Sequence, residues 1–589
     1  MSQYIQGLGE NLIRILYVLA LVIGLCVSPA SLGQSPGDQI EQQLQQQERL
    51  IQRQEERLEA LRRQQENERR TRTDRHPDHN EQLPAESVSD ACLVIEQIVI
   101  DDVESIEYAS IEPLIAPYRG QCLSVKDINS ILTKVNRLYT DHGFITSRAY
   151  IGPQDLNLGI LTIKVVEGTV EHIERPLTDP NKQSLQKIFR NLDGKVLNLR
   201  DLEQGLEQIN RLASRSATMA LLPGSVSGQS IVEVSEIKTT KAWQIRHKID
   251  NSGQLATGEI QHQLFGSAEN LMGLYDYSYF SLQADDGSLS KDQFSRSAGL
   301  HWDIPFGYWT LSTDHSYFKY SSIIATPVQS FISAGDSRSN EIRVARLLSR
   351  DQVSKTKVSL SIKRKTSHSY IENVLIEASS RTHSIASLGL SNDRYLKSGG
   401  ILSSSIKIHR GLRILGGMND RGQEAAGPKA EFTKFSLGVN LSRPLGNPSK
   451  KLSYASRFQY DYSADELYGS EKISLGSDYS VRGYKGVGIS GARGGYWRND
   501  IKWTYTVDKS RPMSRWLSTI SPFIGLDIGA AFVATQEGVE HQSIKGWAFG
   551  IGTSSSHWSL NLLYSEPWAP RPSLRAAKSQ LSIDFSAIF

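Results

Sequence analysis

The sequence predicts a mainly β membrane protein: a transmembrane antiparallel β-barrel of about 16 strands, preceded by a long polar helix and two small α+β modules. Three observations carry this. In Phe523-Ile524-Gly525-Leu526-Asp527-Ile528-Gly529, the residues Ile524, Leu526, Ile528 and Ala530 share the parity suited to lipid, while Phe523, Gly525, Asp527 and Gly529 share the other. A carboxylate on an inner wall needs a cation. Val481-Arg482-Gly483-Tyr484, inside a glycine-rich loop, supplies one if the loop folds back into the lumen, and Gly525 and Gly529 leave room beside Asp527 for it. Thirdly, residues 241–589 are rich in Ser, Gly, Tyr and Asn and show no convincing helix. Strands of roughly 10 residues divide that length into about 16, and bacterial barrels take an even number.

The bulk numbers do not oppose a barrel. The chain has 589 residues, a formal net charge of +3 and 39% hydrophobic residues, with a mean hydropathy of -0.36. Alternating apolar and polar residues average to such polarity and escape a search for apolar helices. The one continuous apolar run, Ile15 to Val27, is shorter than the roughly 20 residues a spanning helix needs. It suits a signal-peptide core, with Arg14 before it and Ser31-Leu32-Gly33 predicting cleavage ahead of Gln34. Cys26 leaves with that peptide, and Leu25 before it argues against a lipoprotein site. The remaining Cys92 and Cys122, in an oxidising compartment, predict one disulfide that closes a loop of about 30 residues and contributes about 3 to 4 kcal/mol. Two buried thiols are the alternative.

From Gln34 to about residue 70, Gln, Glu and Arg dominate around a thin stripe of Ile40, Leu44, Ile51, Leu58 and Leu61, which reads as one long helix. Such a stripe fits a weak coiled coil, or a helix standing in a water-filled channel. Residues 71–91 lack periodicity and read as a linker. Cys92 to Ile100 then reads as a strand, Ile111 to Tyr118 as a short helix, Val125 to Thr140 as an amphipathic helix ended by Gly143, and Phe144 to Ile151 and Gly159 to Glu167 as two strands. The same order repeats: a strand at Val170 to Glu174, helices at Lys182 to Leu192 and Leu199 to Ala213, and strands at Ala217 to Leu222 and Ser230 to Ile237. In the barrel, Phe458, Tyr460 and Tyr462, then Trp558, Leu560, Leu562 and Tyr564, and finally Leu581, Ile583, Phe585, Ala587 and Phe589 form outward sets.

On these residues the chain resembles the TpsB transporters of two-partner secretion, the haemolysin-activator and filamentous-haemagglutinin type. In that family an Arg-Gly-Tyr loop tip meets the aspartate of a Phe-x-Gly-x-Asp strand. Arg482, Gly483, Tyr484, Phe523, Gly525 and Asp527 match it. Tyr139, Gly143 to Tyr150, Gln154-Asp155-Leu156, Gly159, Val165 to Gly168 and the cysteine positions resemble the first POTRA module. Ile249 to Gly253, followed by Asn270 to Gly273, resembles the first barrel strand, and a terminal Phe589 resembles the signal read by the barrel-assembly machinery. The resemblance implies a signal peptide (1–33), a plug helix (34–70), a linker (71–91), POTRA modules (92–168 and 169–240) and a barrel (241–589) in the outer membrane of a Gram-negative bacterium. It implies that a large secreted TpsA-type exoprotein is recognised by the POTRA modules and passed unfolded to the cell surface. The other partners it implies are outer-membrane lipid and the assembly machinery.

Other chemistries find little support. Gly486-Val487-Gly488-Ile489-Ser490-Gly491 matches a dinucleotide-binding pattern, but it runs on into more glycines where a helix is required. His76 and His79 have ligand spacing without two further ligands, so no metal is expected. No nucleophile elbow or Walker loop is present, leaving no catalytic residue, no cofactor and no enzymatic role. Lys363, Arg364, Lys365 and Arg381 suit lumen and loop charge better than nucleic acid in a nearly neutral chain. The rival functions are an outer-membrane barrel-assembly insertase and an adhesin-like surface protein. An Arg482–Asp527 pair in a hydrated lumen is expected to have a modest net energy.

Overall fold

Strict alternation closes the C-terminal region on itself. The computed structural model describes residues 36–73, 92–177, 185–287, 291–325, 329–421, 427–446, 451–508, 510, 512–535, 538–570, 574 and 577–589. The predicted signal peptide, most of the predicted linker, His76 and His79 lie outside them. Among the described residues sixteen strands, from Trp243–Asp250 to Gln580–Ile588, pair antiparallel in chain order, and the last pairs with the first. Two-residue segments at Val374–Leu375 and Tyr505–Thr506 extend this barrel locally. Parity sets the faces: Ile524 and Leu526 are 56% and 55% exposed, whereas Asp527 between Leu526 and Ile528 is 1% exposed. Phe458, Tyr460, Tyr462, Leu581, Ile583 and Phe585 also point outward. No described helix is long and apolar enough to cross a membrane.

Closure is thinnest between the first and last strands. Only Asp584 to Ile588 align with Asp250 to Arg246, against seventeen aligned pairs between Trp309–Ala325 and Ser330–Arg350. Asn251 extends this seam with its carboxamide. Its Nδ2 donates to Leu581 O at 2.7 Å, and its Oδ1 accepts from Ile583 N at 2.8 Å. Phe589 continues the seam through its backbone N, which donates to Ile245 O at 2.9 Å.

The N-terminal helix spans Pro36–Thr73. The chain divides into two units at Gln46/Gln47. From Gln47 onward the helix lies against the inner wall. Gln54 Nε2 donates to Ser297 Oγ at 2.8 Å, Arg57 Nη2 to Asp250 Oδ2 at 2.8 Å, Arg381 Nη1 to Glu48 Oε1 at 2.6 Å, and Tyr277 OH to Gln65 Oε1 at 2.8 Å. Lys365 Nζ sits 2.8 Å from Glu55 Oε1. A helix polar on nearly every face thus finds a wall polar on nearly every face. Of the two packings that the stripe allows, the channel is the one adopted.

In the first module, Gln97–Asp101 and Arg148–Tyr150 flank Ile160–Val166, and the helix Val125–Asp141 buries Ile128, Ile131, Val135 and Tyr139 on this sheet. Ser124 and Asp127 form a reciprocal capping box at its start. The strand expected from Cys92 to Ile100 is broken at Glu96, because Glu96 N and Gln97 N both donate to Gly159 O. Cys92–Ile95 instead pairs with Gln121–Ser124, and a Cys92–Cys122 disulfide ties these two strands together.

The second module orders its sheet as Thr169–Glu174, Gln229–Lys238, Arg215–Pro223. Its helix is Leu199–Asn210. The other helix, expected at Lys182 to Leu192, does not form among the described residues 185–192, which turn instead. Asn191 and Gly194 adopt left-handed backbone (φ 55° and 75°), which ends an α-helix, and Lys187 O is taken by Gly307 N of a barrel turn. Leu185, Ile188 and Phe189 still reach the module core. The module docks on barrel turns and strand ends through charges. Arg350 reaches Glu203 at 3.3 Å and also Glu207, Lys355 Nζ lies 2.7 Å from Glu207 Oε2, and Arg211 pairs with Asp303 and donates to Tyr275 O at 2.7 Å.

Glu167 binds the end of the first module to its own start. Its Oε1 accepts from Ser105 N at 2.8 Å, Glu104 N at 3.0 Å and Tyr139 OH at 3.0 Å, and its Oε2 accepts from Ser105 Oγ. Burial pushes its carboxyl up, but these donors outweigh burial and hold it below the usual range. A depressed folded value stabilises the module above the unfolded pKa of about 4.3, and that stability is lost as pH falls through the folded value. Glu167→Gln should therefore lower hydrogen-exchange protection at Ile131 and Val135 in the full chain near pH 6, with the deficit closing as the pH falls below about 4. Cys92→Ser should lower the same protection by about 3 kcal/mol.

Candidate functional site

The barrel strands Leu452–Ser463 and Arg493–Trp503 are joined by a long loop that turns inward instead of standing clear of the barrel. Its short hairpin, Ile473–Leu475 against Ile489–Gly491, packs with Val481, Tyr484, Tyr496, Ala531 and Ile544 as an apolar cluster inside the barrel mouth. The glycine pattern at 486–491 belongs to this hairpin and its turn, and no helix follows it.

That cluster delivers Arg482 to the wall strand Thr519–Thr535. Nε donates to Asp527 Oδ2 at 2.6 Å, Nη2 to Asp527 Oδ1 at 2.7 Å, and the backbone N of Arg482 to Oδ2 at 3.0 Å. The fork is bidentate, the strongest carboxylate geometry that arginine offers. Asp500 Oδ1 lies 2.7 Å from Nη2 as an ion pair without directed hydrogen-bond geometry. Both side chains of the Arg482–Asp527 pair are fully buried. The expected screening by lumen water is therefore absent, because the apolar cluster and Phe523, whose ring centre is 6.0 Å from the guanidinium carbon, keep water out.

Glycines make the approach possible. A Cβ at Gly525 would sit 2.2 Å from Arg482 Nη2, and one at Gly546 would sit 2.0 Å from Arg482 O. Gly483 has φ +91°, and its Cβ would meet Glu566 backbone at 2.5 Å, so only glycine fits that turn. Tyr484 OH donates to Lys545 O at 2.8 Å. All six residues singled out for this contact thus converge. The sequence reading missed Asp500 and Gly546. Asp500 faces Gly525 across the neighbouring strand, and the Tyr496, Arg498, Asp500 parity was its available signal. Gly546 has no sequence signal beyond being a glycine.

The loop also covers the helix. Ser477 Oγ donates to Glu56 Oε2 at 2.8 Å, Gln52 reaches the backbone of Gly469 and Lys472, and Lys365 lies between Glu55 and Glu471. Loop, helix and wall thus form one polar assembly. Lys365 and Arg381 belong to it, whereas Arg364 donates to Leu415 O at the barrel rim. No group of His, Cys, Asp and Glu able to hold a metal occurs among the described residues. Phe589 is 67% exposed at the barrel seam.

Comparison with known proteins places this arrangement. Residues 228–553 match the family model described as haemolysin secretion/activation protein ShlB/FhaC/HecB, residues 93–168 a ShlB-type POTRA domain, and residues 169–223 a POTRA domain. The outer membrane transporter CdiB of Dickeya dadantii (strain 3937) is 32% identical over 446 residues, 76% of this chain and 77% of that protein. The hemolysin transporter protein ShlB of Serratia marcescens is 29% identical over 473 residues, 80% of each. The structure of CdiB from Escherichia coli superposes with a TM-score of 0.81 at 28% identity, covering 95% of this chain and all of that one.

Gly525→Ala should expel Arg482 from its slot while leaving the barrel closed. Trypsin is expected to cut after residue 482 in this variant and not in the unmodified chain, with heat-modifiable gel migration retained. Arg482→Ala, which strands a buried carboxylate, should cost about 3–5 kcal/mol in loop anchoring and open the loop to trypsin after Lys485.

Proposed function

Because this chain belongs to the haemolysin secretion/activation family of ShlB/FhaC/HecB type, we propose that its polar helix is a removable plug whose exit opens the barrel to an unfolded exoprotein. The chain is an outer-membrane transporter of two-partner secretion, a pore and not an enzyme, with its barrel in the outer membrane and its POTRA modules in the periplasm. It works with a partner exoprotein. The observation that carries the plug reading is the mainly polar seat of residues 47–67, where hydrogen bonds and ion pairs that water can replace outnumber the apolar contacts of Leu50, Ile51 and Leu61.

The incoming chain adds to free sheet edges, where backbone hydrogen bonds give affinity without a fixed sequence. In both modules the last strand is central, so on that side the edge belongs to Arg148–Tyr150 and to Arg215–Pro223. A sixteen-stranded barrel is wide enough for an extended chain once the helix has left. Outward-facing Ile524, Leu526 and Ile528 meet lipid, and Phe589 at the terminal strand serves the assembly machinery during insertion. Folding of the exoprotein outside supplies the direction.

Deleting residues 34–70 should convert rare, brief openings in planar bilayers into a steady high conductance. Deleting the whole chain should strand the partner exoprotein in the periplasm while other barrels still assemble. Export that survives whole-chain deletion would refute the reading.

A further inference from the structure

One cluster of buried charge is not used by the loop contact. His301 lies on the inner face of the strand Phe294–Phe306, flanked by Tyr279 and Asp314 as its cross-strand neighbours. Its ring stacks on Tyr279 at 4.8 Å. Nδ1 lies 2.8 Å from Asp314 Oδ1 and Nε2 lies 3.2 Å from Asp303 Oδ2. Both nitrogens face carboxylates, which only accept, so the ring bridges as an imidazolium.

Each carboxylate has a second partner on a different part of the molecule. Asp303 pairs with Arg211, the residue that caps the helix of the second module. Asp314 Oδ2 lies 3.4 Å from Arg62 Nη1 of the N-terminal helix, which also approaches Glu341 at 3.9 Å. The result is an alternating chain, Arg211–Asp303–His301–Asp314–Arg62, running from a POTRA module through the barrel wall to the plug. Arg211 and Arg62 belong to elements that share no strand and have three side chains between them. In a charge chain of this kind, moving one end changes how well the next carboxylate is neutralised, and the effect passes along the chain.

We propose that His301 is a positioning residue that couples the docking of the second POTRA module to the seating of the plug helix. An exoprotein segment that presses the module onto the barrel seats Arg211 more firmly on Asp303. His301 then satisfies Asp314 more fully and Asp303 less, and Asp314, better neutralised, holds Arg62 less firmly. Cargo arrival thereby loosens the plug from the periplasmic side without touching it. This rests on the plug reading above.

The test is a mutant cycle read on helix seating in the purified full chain, without any partner. Gln54→Cys and Ser297→Cys, whose native side chains are 2.8 Å apart, report seating as disulfide yield. Arg211→Gln and Arg62→Gln are introduced singly and together, each with His301 intact and with His301→Phe, which keeps the stack on Tyr279. With His301 intact, the double variant should depart at least about threefold from the product of the single effects, because Arg211 acts on the helix only through Arg62, a coupling ordinary for residues in one network. In the His301→Phe background the effects should multiply. Should His301→Phe lose heat-modifiable migration, Asp314→Asn breaks the same chain one link on and replaces it. Multiplication in both backgrounds overturns the coupling, and export of the exoprotein by the intact chain would leave the transporter reading standing. Export that continues without the chain refutes that reading whatever the cycle gives.

Discussion

The buried fork of Arg482 on Asp527 is the constraint around which the lumen is organised. A guanidinium and a carboxylate taken out of water are favourable only when geometry and further hydrogen bonds are nearly complete. The bidentate contact and the added backbone donor supply that geometry, and Asp500 adds a second carboxylate at ion-pair distance. Once the fork is fixed, the loop must lie inside the barrel. The hairpin core must then fill the mouth, and Gly469, Lys472 and Ser477 must face the helix. Such a pair contributes less to stability than to choosing one loop arrangement from many.

Beneath the loop, the lumen is charged unevenly. Asp250, Asp303, Asp314 and Glu341 come from the first six strands of the barrel, and Lys363, Lys365, Arg381 and Lys434 come from the next four. The helix offers Arg57 and Arg62 to the former group and Glu48 and Glu55 to the latter. Its composition, unsuited to a coiled coil, matches this wall. It carries no large apolar stripe.

Much of this was legible in the sequence, because lipid on one face and water on the other impose alternation strand by strand. The parity around Asp527 places it correctly, and the family resemblance, more than the pattern, brings Arg482 to it. Other contacts between distant segments were not legible. Asp303 and His301 look like ordinary lumen residues until Arg211 and Arg62 arrive from elements far away in sequence. The helix expected at Lys182 to Leu192 failed for a related reason: its backbone is claimed by a barrel turn that local propensity cannot foresee. The break at Glu96 likewise depends on Gly159, which lies more than sixty residues onward.

The seam between first and last strands has a mechanical consequence. A closed barrel that must widen does so first at its shortest pairing, here five aligned residue pairs and the Asn251 side chain. On the inner side of that seam, Lys248 bridges Asp250 and Asp584, and Arg57 of the helix neutralises Asp250. The helix is therefore also a brace: without Arg57, Asp250 would turn wholly to Lys248, and the strap across the seam to Asp584 would slacken.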